Sequence, residues 1–277
     1  MPRTIEELKA RKPARRGSEV PADVLRAMNA GQIESRNLVE WLIIDQAKLL
    51  KAILPQIGLT DAAAQKSLLK EARALSESGI MQRCSGIGAA FHQTLGGARE
   101  SDAIFAAMTQ HASDTVRIWA AFADTANPKL TFPQRLKRVR KFAIDPNAGV
   151  REIAWMAVRA PASDALIDEV HRLQPWAENK DPFVRRFAIE ATRPCGVWCA
   201  HLKRLKEDPT PMTELLDACH SDDAKYVQDS VANWLNDASK SQPDWVIKTC
   251  DRWTAESKTP QTKRIVHRAL RTLRKKK

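Results

Sequence analysis

A Val-Arg pair recurs at a fixed interval in the chain: Val116-Arg117, Val150-Arg151 and Val184-Arg185 stand 34 residues apart. A looser copy, Tyr226-Val227-Gln228, follows with its valine 43 residues after Val184. Each pair comes shortly after a segment that reads as a helix beginning: Ser113-Asp114, Asp145-Pro146, Asp181-Pro182 and Ser221-Asp222-Asp223. Aspartate at the N-cap accepts from the free amides of the first turn, and proline suits the first helical position. A unit near 34 residues holds two antiparallel helices, which bury their apolar sides only by stacking on the next unit.

Composition agrees with a helical array. The 277 residues include only 10 Gly and 1 Tyr, strand-type alternation is scarce, and Ala, Leu, Lys, Arg and Glu dominate. Breaks between helix-length segments fall at Gly31, Pro55, Gly79, Gly96-Gly97, Asn127-Pro128, Asp145-Pro146, Asp181-Pro182, Asp208-Pro209 and Pro243. Trp-Leu-Gly signatures of tetratricopeptide repeats are absent, whereas Asp-Pro-x-x-Val-Arg is typical of HEAT-like helices. The expected fold is all-α: a HEAT-like repeat α-solenoid, a right-handed superhelix of antiparallel helix pairs with a concave basic cleft. Residues 21–277 are expected to form this single domain. Residues 1–20 are expected to form a basic, partly disordered arm with one short helix, signalled by Thr4 three before Glu7.

The 45 Lys and Arg against 33 Asp and Glu give a net charge of +12, which favours a polyanionic partner. Basic residues crowd both ends, from Lys9 to Arg16 and from Lys263 to Lys277, and the stretch Lys137-Arg138-Val139-Arg140-Lys141. No apolar run approaches the ~18 residues of a membrane span, and the start lacks an apolar signal core. A cytoplasmic monomer without membrane association is expected. The five cysteines are odd in number and scattered, which argues against a disulfide framework. Cys195 and Cys199 with nearby His201 lack a second ligand pair, so no metal and no cofactor are expected.

Eight Trp among 16 aromatics is an unusual share. Counted from the repeat valine, Glu152 falls at +2, Glu190 at +6 and Asp237 at +10. Steps of four keep a side chain on nearly one face, drifting about 40° each. Trp155 at +5 and Trp234 at +7 lie on the same helices, as do Arg159 and Arg193, both at +9. Two readings fit. Carboxylates, Trp and Arg gather along one surface, or the charges are ladder partners between repeats and the Trp rings are core.

The runs Glu190-Ala191-Thr192-Arg193-Pro194, Ser230-Val231-Ala232-Asn233-Trp234-Leu235-Asn236-Asp237 and Arg268-Ala269-Leu270-Arg271-Thr272-Leu273 resemble the AlkC branch of the HEAT-like DNA alkylation repair glycosylases. Asn37 to Leu42 and Ser113 to Ala121 are similar to that family as well, so the resemblance spans roughly residues 36–275. It implies hydrolysis of the N-glycosidic bond of cationic alkylated bases in DNA, of the 3-methyladenine or 3-methylcytosine type, by a monofunctional glycosylase. Its site residues fall on Glu190, Asp237 and Glu152 as carboxylates that stabilise an oxocarbenium-like sugar and position water. Trp198 is the tryptophan it places against the lesion nucleotide, with Trp155 and Trp234 as further lesion or sugar contacts. Arg159, Arg193, Lys137, Arg138, Arg140, Lys141, Lys263, Arg264 and Arg268 are the candidate backbone contacts. The chain departs from the family pattern at Trp155-Met156-Ala157 and Cys195-Gly196-Val197, where an Arg and a Pro are lost in each. No C-terminal immunoglobulin-like module is expected. The alternative is a non-catalytic HEAT-like nucleic-acid binder or a protein scaffold.

Overall fold

A computed structural model describes residues 3–96, 99–159, 163–196 and 198–275, without the side chains of 99–101 and 163–165. The described residues are helical with no strand, and none of their helices is long and apolar enough to cross a membrane. Two compact units form. The first runs to Leu130 and takes in Asp145–Ala157; the second comprises Thr131–Ile144 and the chain from Val158 onward.

The repeat valines are the anchors that their spacing implies: Val116, Val150, Val184 and Val227 are all at 0% exposure. They lie on helices Asp114–Thr125, Ala148–Arg159, Pro182–Ala191 and Lys225–Ala238. In the first unit, Asp114–Thr125 packs on helix Ile80–Leu95. The two approach so closely at Gly88 that a Cβ there would stand 2.4 Å from the Phe122 Cβ and 2.9 Å from the Trp119 carbonyl oxygen. In the second unit, Pro182–Ala191 packs on Lys225–Ala238, which packs in turn on helix Pro260–Ala269.

The residue after each valine works as a joint. Arg117 Nη1 donates to the carbonyls of His111 and Ala112, Arg151 to those of Asp145 and Pro146, and Arg185 to those of Asn179 and Lys180. Gln228 does the same from the looser copy, with Nε2 donating to the Asp222 and Asp223 carbonyls. In Arg117 and Arg185 the rest of the guanidinium reaches the following repeat. Arg117 holds Asp145 at 2.8 and 3.1 Å, and Arg185 holds Asp222 at 2.5 and 2.9 Å.

This joint revises the reading of the helix beginnings. Asp181 is an N-cap followed by Pro182, accepting from the Phe183 amide. Asp145 and Asp222 likewise accept from the amides of Asn147 and Ala224 at 2.8 Å, and Asp114 from that of Thr115 at 2.9 Å, but each also has a partner beyond its own helix beginning. Helix Ala148–Arg159 starts after Asn147, whose side chain accepts from Gly149 N, while Asp145 receives Arg117. Asp222 receives Arg185, and the helix that follows begins at Lys225 behind Ala224. Asp114, first of the series, accepts from the Ser35 hydroxyl and from its amide at 3.2 Å. A carboxylate that meets a guanidinium across a helix gap is worth more there than as a cap.

Residues 3–20 of the N-terminal arm include helix Ile5–Ala10 with its Thr4–Glu7 capping box. The arm is anchored by buried Leu8 and by Arg11, whose guanidinium donates to buried Glu40 and to the Leu8 and Glu34 carbonyls.

Candidate active site

Helix Pro182–Ala191 ends at Thr192, and this stop turns Arg193 back over the helix end. Arg193 Nη1 lies 3.1 Å from the Glu190 Oε2, while its Nε and Nη2 lie 3.0 and 2.6 Å from the Asp237 Oδ2. One guanidinium therefore joins the two carboxylates that shared register and motif single out. Glu190 also accepts from the Ser230 hydroxyl at 2.6 Å, and Arg186 stands 3.5 Å away. Asp237 also accepts from Lys240 Nζ at 3.0 Å. Arg193 is the outer member: its side chain is 18% exposed, against 3% for Glu190 and 8% for Asp237. Burial works against its charge, but the two carboxylates together hold Arg193 above its ordinary pKa.

Ser230, Arg186 and Lys240 were not singled out from sequence. Their signal is in the spacing: Ser230 is two turns before Asp237, Lys240 three residues after it, and Arg186 four before Glu190.

Glu152 belongs to the first unit, where it is half-buried and accepts from Trp155 Nε1 at 3.1 Å. The surface needed for a lesion contact is unevenly present among the tryptophans. Trp198 is 40% exposed, Trp155 is 4% exposed, and Trp234 is at 0%. Trp234 is core: its Nε1 donates to the Thr192 carbonyl at 3.0 Å and its ring lies 6.0 Å from Trp245.

The basic residues also separate. Lys137, Arg138, Arg140 and Lys141 are exposed on helix Phe132–Ala143, with Arg140 lying over the Trp176 ring. Lys263 is exposed, but Arg264 and Arg268 are half-buried partners of Asp229 at 2.7 and 3.1 Å. Arg159 is 2% exposed and donates only Nη2, to the Ala200 carbonyl at 2.8 Å. Cys195 and Cys199 are half-buried, and burial pushes the Cys199 thiol up. Among the described residues no group of three or more His, Cys, Asp and Glu could hold a metal ion.

The helical-repeat array has known counterparts. Residues 159–273 match the family model of DNA alkylation repair enzymes. The fold matches that of a Pseudomonas fluorescens alkylpurine DNA glycosylase, AlkC, bound to DNA containing an abasic site analog. The TM-score is 0.66 at 25% identity, over 84% of this chain and 64% of that one. These findings bear out the resemblance to the AlkC type and its HEAT-like repeat fold. The uncharacterized protein YhaZ of Bacillus subtilis (strain 168) is 40% identical over 114 residues, which is 40% of this chain and 31% of that protein. The protein smu.31 of Streptococcus mutans UA159 shares the fold, with a TM-score of 0.52 at 20% identity over 80% of this chain and 96% of that one. The chain thus spans less than two thirds of both AlkC and YhaZ.

Proposed function

We propose that the chain is a monofunctional DNA repair glycosylase, hydrolysing the N-glycosidic bond of cationic alkylated bases of the 3-methyladenine or 3-methylcytosine type. The observation that carries this reading is the Glu190–Arg193–Asp237 bridge, two carboxylates already arranged around one cation. An N-alkylated base departs without needing a proton. The enzyme's task is to stabilise positive charge at the sugar C1′ and to place a water there. Water adds at C1′, the C–N bond breaks toward the base, and one proton is released. Glu190 and Asp237 supply the negative field and accept that proton; Glu152 is a further carboxylate to test by Glu152→Gln. As the sugar cation develops, it takes over the place between the carboxylates that Arg193 fills.

Trp198, with 40% of its surface open, is the foremost contact for the lesion nucleotide, ahead of the covered Trp155 and Trp234. The exposed face of Lys137, Arg138, Arg140 and Lys141, together with Arg159, Arg193, Lys263, Arg264 and Arg268, meets the phosphate backbone. The relative bound to abasic-site DNA supports DNA as the partner, and the chain is taken to act as a monomer.

One observation favours a second reading, a non-catalytic DNA binder: every oxygen of the two carboxylates already has a hydrogen-bond partner. Release of methylated base from alkylated duplex by wild type, Glu190→Gln and Asp237→Asn decides. Release abolished by either substitution supports the catalytic reading. Equal release by all three would sink the site, and no release by wild type would leave the binder. A binder's affinity then falls linearly in log salt, which a protein scaffold's does not.

A further inference from the structure

Two asparagines on helix Lys225–Ala238 spend their side-chain amides differently. Asn236 is buried, and both ends of its amide are used. Its Nδ2 donates to the Ala269 carbonyl at 3.0 Å and to the Thr272 hydroxyl at 2.9 Å, and its Oδ1 accepts from that hydroxyl at 3.2 Å. Asn233 is half-buried, and among the described residues its one hydrogen-bond partner is Arg271, whose Nη2 donates to its Oδ1 at 3.0 Å. A guanidinium has only N–H groups to offer, so the amide oxygen must face it and the Nδ2 donors face away. Arg271 is itself pinned, with Nη1 donating to the Arg268 carbonyl at 2.8 Å. The Asn233 amide is therefore held in one orientation with both N–H donors unspent.

Those donors stand beside the carboxylates. Asn233 lies four residues before Asp237 and three after Ser230, on the helix face that carries the Glu190–Arg193–Asp237 bridge. Positions four apart on a helix hold their Cβ atoms about 5–6 Å from each other. Arg271, which grips the amide, is close enough to feel the charges of Asp237 and Arg193. A sugar whose C1′ lies at the bridge thus brings the first atoms of its base within reach of Asn233.

We propose that Asn233 determines specificity between alkylated bases, donating through Nδ2 to O2 of 3-methylcytosine, with Arg271 as the group that orients it. The assignment rests on the glycosylase reading. O2 of cytosine and N3 of adenine occupy equivalent places, each on the ring carbon bonded to the glycosidic nitrogen, and both are acceptors in the unmodified bases. In 3-methylcytosine O2 keeps its lone pairs. In 3-methyladenine N3 carries the methyl group and accepts nothing. When the C–N bond breaks, its electron pair enters the ring and raises the density on O2, so the donor strengthens as the base departs. Asn233 therefore helps one leaving group and meets only a methyl group on the other.

The test compares kcat/KM for release of 3-methylcytosine and 3-methyladenine from duplexes of one sequence by the full chain, with Asn233→Leu and Asn233→Asp beside wild type. Asn233→Asp keeps an oxygen for Arg271 and removes the donors. Both variants are expected to lower 3-methylcytosine release about tenfold relative to 3-methyladenine release. Release of 3-methyladenine reports a folded enzyme, so the ratio is blind to a general loss of structure. Should Asn233→Leu not fold, Asn233→Asp carries the same comparison. Arg271→Met lets the amide turn over and is expected to move the ratio in the same direction; an unmoved ratio overturns the part given to Arg271. Equal loss on both lesions in the Asn233 variants, or no loss, overturns the assignment. So does a wild type that releases 3-methyladenine alone, which leaves the glycosylase reading standing. A wild type that releases neither base refutes that reading itself.

Discussion

Two arginines one repeat helix apart show what the same side chain does at a joint and at a site. Arg185 divides its donors between carbonyls of its own loop and Asp222 of the next repeat. It completes the backbone and locks one unit to another. Arg193 spends its donors on two carboxylates, and among the described residues no backbone carbonyl is its partner. At the joint the arginine compensates the loop carbonyls together with carboxylates: Arg185 meets Asp222, and Arg117 meets both Asp145 and Glu34. At the site two acidic groups are held together across a helix gap, which only a cation makes tolerable. The joint therefore predicts stability, and the bridge predicts chemistry with a cationic substrate.

The largest effect is expected at the bridge. Glu190→Gln and Asp237→Asn should each lower base release by about 10²-fold or more, with the fold retained by circular dichroism. Next comes the joint: Arg185→Met leaves Asp222, whose side chain is 4% exposed, without its partner. It should cost about 3–4 kcal/mol in denaturant unfolding while leaving the rate per folded molecule unchanged. A rate loss at the joint matching that at the bridge would erase the distinction.

Asp114 sharpens it further, being an aspartate of the series whose carboxylate is met by Ser35 instead of a guanidinium. Burial pushes its carboxyl up to about 6 from 3.8, against the hydrogen bonds of Ser35 and the charge of Arg117. The folded chain thus binds this proton more tightly than the unfolded one. The stability it contributes is fully present below pH 4 and is lost as pH rises from 4 to 6, by about 2–3 kcal/mol. Asp114→Asn should remove that slope and raise stability at pH 7; an unchanged urea midpoint across pH 4–7 would refute it. The smallest effect is expected for Trp234→Phe, which gives up the Thr192 hydrogen bond and costs about 1 kcal/mol with base release nearly unchanged.

Much of this was legible in the chain itself. Valines at two successive steps of 34 residues, with the looser copy at Val227, had to be core, because a helix stacked on two neighbours buries one position per repeat, and all four valines are. Glu190 and Asp237 were legible from register and motif together. Arg193 as their bridge was not: position +9 places it past the helix end, where side-chain direction follows the stop at Thr192 rather than a 3.6-residue period. The use of Asp145 and Asp222 was hidden for a related reason, since Asp before a helix reads as a cap unless the distant guanidinium is known. The tryptophans failed by degree, because periodicity gives a face but not the depth that leaves Trp234 covered and Trp198 open.

The joints carry a consequence for how the chain comes apart. A repeat that melts withdraws its guanidinium from the next repeat, leaving Asp145 or Asp222 buried beside a helix beginning with no counter-charge. Fraying of one repeat therefore weakens its downstream neighbour. Unfolding should pass along the array in one direction, so that amide exchange within each joined pair is correlated rather than independent.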